Sequence, residues 1–188
     1  MTFVTLSGEY KGVPGFSDRY IIYGIAMHAA EALCATYGAK KSFEPKIARC
    51  FSFVGPHLPL NAHFAIGNFI RDALNGKTIQ IESDGNPRRS YLYAADLAIW
   101  LWTILLRGKN MRAYNVGSEK SFSLAETAKL VAKLSGNSPK VKTIPSPGRT
   151  KTMNIYLPST RRARKELGLK EYINLRNAVQ KTIDFHGK

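Results

Sequence analysis

The residues best suited to chemistry are two adjacent arginines. They open the run Arg88-Arg89-Ser90-Tyr91-Leu92-Tyr93-Ala94-Ala95-Asp96-Leu97-Ala98-Ile99-Trp100. A turn composition, Ser83-Asp84-Gly85-Asn86-Pro87, comes just before them. An arginine where a strand begins, beside a loop, can hold a phosphate with a fork of two parallel N–H donors. Taken alone, a strand–helix junction with solvated arginines accounts for the run more simply. The other reactive side chains are sparse. Cys34 and Cys50 lie in apolar contexts without metal-ligand spacing, which fits a reduced, cytoplasmic setting. His57 and His63 flank Pro59-Leu60-Asn61 and read as structural or exposed, and His186 falls near the end of the chain. No glycine-rich turn of the G-x-G-x-x-G or G-x-x-G-x-x-G kind follows a strand, and there is no P-loop.

The chain has 188 residues, 44% of them hydrophobic and 11% aromatic, enough to build a core. Its net charge of +15 draws polyanions or phosphorylated small molecules. The basic residues are dispersed, however, and do not interleave with aromatics as a base-stacking surface would, so nucleic acid is not the expected partner. The first ten residues lack a charged start and apolar run, so no signal peptide is expected. Tyr91–Leu106 is the longest apolar run; it contains Asp96, is too short to span a bilayer and reads as a buried helix.

The elements that must position these residues alternate. Residues 1–19 read as a loop. Helical spacing runs from Tyr20 to Tyr37 and is stopped by Gly38. Lys46–Val54 reads as one buried strand ended by Gly55-Pro56, and Ala62–Leu74 as a helix with Gly76 past its end. Strands are expected at Thr78–Ile81, Arg89–Tyr93, Ala113–Val116 and Val141–Ile144, with Ala94–Leu106 helical. Ser123 and Glu126 form a capping box that launches a helix to Leu134, and Pro145–Arg149 is a turn. Ser159–Leu167 and Asn174–Phe185 close the chain as helices. Such alternation is that of an α/β protein.

Five segments in order then resemble one family. Tyr23-Gly24-Ile25-Ala26-Met27-His28-Ala29-Ala30-Glu31 is similar to the Y-G-x-x-K-x-x-x-E helix of extended short-chain dehydrogenases, the NAD-dependent nucleotide-sugar epimerases and dehydratases. Arg49-Cys50-Phe51-Ser52-Phe53-Val54-Gly55-Pro56 resembles their R-x-F-N-x-x-G-P strand. Asp84-Gly85 with Arg89 to Asp96 resembles D-G…R-D-x-x-x-V-x-D; Tyr114-Asn115-Val116-Gly117 matches Y-N-x-G and Glu166-Leu167-Gly168-Leu169 the terminal E-L-G-W. The resemblance implies an α/β fold: the carboxy-terminal strands of a Rossmann-type sheet plus a small α/β substrate-binding subdomain. Residues 1–56 would be the remnant of the Rossmann-type domain with the tyrosine helix. Residues 57–188 would be mainly the nucleotide-sugar-binding subdomain, with residues 89–116 returning to the sheet.

By the same resemblance, Arg89 clamps the diphosphate of a nucleotide-sugar, and Arg149 with Tyr156 makes a second contact to it. Ser52 stands where the family has a substrate-touching asparagine, Thr78–Ile81 runs beside the base, and Tyr23 is the catalytic acid/base that works with NAD. The sequence departs from the pattern at that tyrosine. A free phenol has a pKa of about 10, so roughly 0.1% is ionised at pH 7. Bringing it to about 7 takes roughly 4 kcal/mol of differential stabilisation, which the family draws from a lysine one helical turn on. Here that position is Met27, and His28 points about 100° away around the helix. Tyr23 can equally be a packing residue, and Thr5 and Ser7, the stand-ins for the family's catalytic hydroxyl, read as loop residues. The family's glycine-rich, NAD-binding half precedes everything seen here, so NAD is implied by the resemblance but not expected on this chain unless a separate chain supplies that half. Three readings stay open: the carboxy-terminal part of such an enzyme with impaired catalysis, a non-catalytic nucleotide-diphosphate-binding remnant, and a basic protein drawn to nucleic acid. The small apolar face Ile22, Ala26, Ala29, Ala30 and Leu33 also offers a homodimer contact. Asp96 is expected to cap or orient its helix, and Trp100 and Trp102 to be core.

Overall fold

A computed structural model describes residues 19–40, 43–62, 64–144 and 155–187, with side chains from Gly24 onward. Expectations for Thr5, Ser7, His63, Arg149 and the turn at Pro145 therefore lie outside the described residues, as does the side chain of Tyr23. In chain order the elements are α1 (Arg19–Ala39), β1 (Ile47–Cys50), β2 (Phe53–Val54), α2 (Ala65–Leu74), β3 (Ile79–Ile81), β4 (Arg88–Arg89), β5 (Leu92–Tyr93) and α3 (Ala94–Arg107). They continue as β6 (Ala113–Val116), β7 (Phe122–Ser123), α4 (Leu124–Leu134), β8 (Val141–Thr143), β9 (Ile155–Tyr156), α5 (Arg161–Leu167) and α6 (Leu175–His186). The chain divides into two compact units. Residues 1–51, 97–117 and 158–170 form the first, and residues 52–96, 118–157 and 171–188 the second.

In the first unit β1 and β6 pair in parallel, Ile47 opposite Ala113 through Cys50 opposite Val116. Ile47, Ala48, Trp100, Ile104, Tyr114, Val116, Ala163 and Leu167 are buried there. The polar atoms of that core are partnered, as burial demands. The indole N–H of Trp100 donates to the Lys170 carbonyl at 3.0 Å, and Tyr114 Oη accepts from the Lys109 amide and donates to Glu166. Gly38 does not stop α1, which runs on to Ala39. It serves close approach instead: a Cβ there would sit 2.7 Å from Met111 Sδ and 2.9 Å from Pro45 Cγ. The expectation of a buried α3 also fails in part. Trp100 and Ile104 are buried, but Trp102 is 64% and Leu106 75% exposed. An apolar run without periodicity cannot say which side of a helix is covered.

The second unit's core is built by three amphipathic helices whose apolar residues recur at three- and four-residue spacing. Ile66, Phe69, Ile70 and Ala73 of α2, Ala128, Val131 and Ala132 of α4, and Leu175, Ala178, Val179 and Ile183 of α6 are buried together with Ile79 and Ile81 of β3. Each large aliphatic side chain so buried contributes roughly 1.5–3 kcal/mol. The two threonines in this core, Thr127 and Thr182, donate back to the carbonyls of Ser123 and Ala178. β3 and β8 pair in parallel, as do β2 and β5, while β4 lies between antiparallel β7 and parallel β9. Two expected strands thus break into halves that belong to different ladders. Lys46–Val54 is β1 and β2, and Arg89–Tyr93 is β4 and β5. The Phe51 amide makes the last bond to Val116, and the next residue, Ser52, already accepts from Leu92 at 3.0 Å.

Candidate functional site

β4 is held where two constraints meet. In the turn before it, the Asn86 amide donates to Asp84 Oδ1 at 3.0 Å and the Gly85 amide to Ser83 Oγ at 3.1 Å. Gly85 has φ of +80°, a conformation that favours glycine, and a Cβ there would meet the Ala125 Cβ at 3.0 Å. The carbonyls of Gly85 and Pro87 in turn accept the Ala125 and Leu124 amides, so the turn is pinned on the start of α4.

Successive strand residues point to opposite faces, so the two arginines meet different fates. Arg88 Nε donates to Ser121 Oγ at 2.6 Å, and its Nη2 donates to the Ser121 carbonyl and to Glu126 Oε2 at 3.2 Å. Glu126 closes the capping box of α4, accepting from the Ser123 amide while Ser123 Oγ accepts from the Glu126 amide. That backbone bond first, and Arg88 after it, hold the Glu126 carboxyl below its ordinary range. Arg88 is therefore a structural cation. Arg89 is opposite Tyr156 in the β4–β9 register, and its guanidinium carbon lies 5.8 Å from the centre of the Tyr156 ring. Its Nη1 donates to the Arg88 carbonyl at 2.8 Å. Arg89 and Tyr156, 67 residues apart in the chain, share one half-buried spot that can present a planar fork of donors beside a phenol.

The remaining expected residues are distributed as follows. Ser52 is half-buried in the same unit, immediately before β2. Tyr23 is in α1 of the first unit, with Met27, half-buried, one helical turn on. His28 is exposed on the same helix. His57 packs edge-on against Phe185, ring centres 5.1 Å apart. Ser90 is 1% exposed and its hydroxyl has no partner among the described residues. Tyr91 is buried, which pushes its phenol up to about 12 and keeps it neutral. Burial likewise pushes the Cys50 thiol up to about 12, and neither Cys34 nor Cys50 is in a disulfide.

Three motif residues have roles that the pattern did not disclose. Arg49 binds Glu31 bidentately, Nε and Nη2 each 2.8 Å from a carboxylate oxygen. Glu166 accepts from Arg112 and Tyr114, and Arg112 first among them holds its carboxyl low. Asp96, 1% exposed, accepts the Tyr172 and Ile173 amides at 3.0 Å each. Asp96 therefore ties down a distant segment as well as standing in the first turn of α3.

A dinucleotide's pyrophosphate is held at a glycine turn between a strand and the N-terminus of a helix. Among the described residues the left-handed glycines sit elsewhere: Gly76, Gly136 and Gly168 just past helices, Gly85 in the turn before β4. None of these four stands between a strand and the helix that follows it. Among them, too, no group of three or more His, Cys, Asp or Glu could hold a metal ion, and no helix is long and apolar enough to cross a membrane.

The sequence profile of the NAD dependent epimerase/dehydratase family matches residues 18–117. UDP-glucuronic acid decarboxylase 1 of Xenopus tropicalis is 27% identical over 187 residues, 97% of this chain and 42% of that protein. UDP-glucuronic acid decarboxylase 5 of Arabidopsis thaliana is 27% identical over 160 residues, 84% of this chain and 45% of that protein. The chain thus spans less than half the length of these curated relatives. Among solved structures, UDP-glucose 4-epimerase of Thermotoga maritima with UDP-glucose superposes with a TM-score of 0.77 at 20% identity, covering 87% of this chain and 52% of the other. UDP-glucuronic acid 4-epimerase of Bacillus cereus, in complex with UDP-glucuronic acid and NAD, gives 0.75 at 22% identity, covering 98% and 58%. The fold is that of the Rossmann-type epimerases over the part they share.

Proposed function

This chain belongs to the NAD dependent epimerase/dehydratase family, and from that premise we propose that it binds a nucleotide-diphosphate sugar through Arg89 and Tyr156. The observation that carries the reading is the register of β4 on β9, which pairs these two residues and stacks the guanidinium near the phenol ring. Arg89 offers the diphosphate a charged fork, and Tyr156 limits how that fork can turn. Ser52 and Arg149 complete the contact set by resemblance, Ser52 with a shorter reach than an asparagine. Tyr23 occupies the position of the acid/base that exchanges a proton with a sugar hydroxyl. Met27 gives it no charge to stabilise a phenolate, so catalysis through Tyr23 is impaired here. The face Ile22, Ala26, Ala29, Ala30 and Leu33 on α1 would serve a homodimer, and of it Ala26, Ala29 and Leu33 are exposed. The named relatives act on UDP-sugars, which makes UDP the first nucleotide to try.

Calorimetric titration with UDP, dTDP, CDP and GDP at low and moderate salt tests the reading. Saturable binding of one nucleotide that survives moderate salt is expected. Arg89→Ala should weaken it by about 2 kcal/mol, roughly thirtyfold in Kd. The net charge of +15 favours a second reading, association with polyanions such as nucleic acid. Heat that disappears with salt, indifferent to the base and to Arg89, would replace the first reading by the second.

A further inference from the structure

We propose that the first unit carries a second anion site, for a small phosphorylated ligand, in the groove bounded by α1, β1, β6 and α5. The groove has a volume of about 660 Å3, within the range of roughly 300–1,000 Å3 common for small-molecule sites. Arg49, Lys109, Arg112 and Arg162 line it, with His28 beside them and Glu31 as the one carboxylate in its wall. Four cations against two carboxylates, Glu31 in the wall and Glu166 bound to Arg112, leave a net positive potential in the groove, and apolar lining such as Ile47 strengthens it.

The donors are not used up. Arg49 and Arg112 each give Nε and Nη2 to a glutamate, which fixes both guanidinium planes, and the Nη1 of each has no partner among the described residues. The pairing therefore orients these forks at no cost to the ligand, as in other preorganised sites. Arg162 Nη1 donates to the Ala113 carbonyl at 2.7 Å, which anchors its head at the groove. The Lys109 ammonium makes no hydrogen bond or ion pair among the described residues, although its charge is felt at Glu166. Several guanidinium edges and an ammonium lining one groove suit the several oxygens of a phosphate or diphosphate better than a single carboxylate. This site lies wholly in the first unit and does not depend on the reading of Arg89 and Tyr156 in the second.

The test uses inorganic pyrophosphate as probe, titrated calorimetrically into the full chain carrying Arg89→Ala, so that the second unit's pair cannot report. One saturable site is expected. Lys109→Ala and Arg162→Ala should each weaken it about fivefold or more, while Lys129→Ala, an exposed lysine of the second unit, should leave it unchanged. Lys109 and Arg162 are exposed, and circular dichroism of both variants checks that the fold survives. The absence of a saturable site overturns the proposal, and so does an affinity that neither groove variant moves or that Lys129→Ala lowers equally.

Discussion

Asp96 is a carboxylate taken out of water whose compensation is two backbone amides, those of Tyr172 and Ile173. Bonds to a charged acceptor are worth about 1.5–3 kcal/mol each, and their loss leaves amides unpaired. Asp96→Ala is therefore expected to cost about 3 kcal/mol in urea unfolding, with Asp96→Asn losing less because the amide oxygen still accepts. A midpoint unchanged by Asp96→Ala would remove the carboxylate from the stabilising set. At this scale the sequence pointed to the arginines but not to their division of labour. Arg88 and Arg89 are the same residue type at adjacent positions. One is consumed by Ser121 and Glu126 and the other faces Tyr156, and only the strand's alternation, fixed by neighbours 33 to 67 positions away, separates them. Glu31, Arg49 and Glu166 were visible as motif letters, whereas their ion-pair geometry depends on tertiary placement.

Among elements, α4 was the most legible because its start signal is local. Ser123 and Glu126 are three residues apart, and both reciprocal bonds form. Ser123→Ala should destabilise the protein by about 1 kcal/mol, read as a lowered midpoint in thermal or urea unfolding, and Ser123→Thr should recover most of it. Equal midpoints for wild type and Ser123→Ala would mean that the packing of α4 alone sets its start. The helices of the second unit follow the same logic, since their apolar spacing is their burial pattern. Strands were less legible. Lys46–Val54 is one apolar run, yet Phe51 and Ser52 pass its hydrogen bonding from β6 to β5, a change no local composition encodes. β7 and β9, two residues each, went unseen for the same reason: the ladder on β4 makes them strands, not their own propensity.

For the whole molecule, pH dependence follows from carboxylates that bind their proton more weakly in the folded state. Hydrogen bonds and nearby cations, led by Lys46 at Glu44, Ser123 at Glu126 and Arg112 at Glu166, lower all three. The stability they give is complete above the unfolded glutamate value of about 4.3 and is lost as pH falls through the lower folded values. Each proton taken up also adds to a chain that already carries +15, so repulsion grows in the same window. Thermal melts between pH 7 and 3 should be level down to about pH 5 and fall steeply below pH 4. A Tm that rises on acidification would contradict the assignment.

The chain also passes between its two units at residues 51–52, 96–97, 117–118, 157–158 and 170–171. No single cut, in a gene or by a protease, can release either unit as one uninterrupted polypeptide. A recombination event that moved the Arg89–Tyr156 pair on one continuous segment would have to carry residues 97–117 of the first unit, β6 included, with it. Two of the groove's cations, Lys109 and Arg112, are thus inherited together with that pair, whatever either one binds.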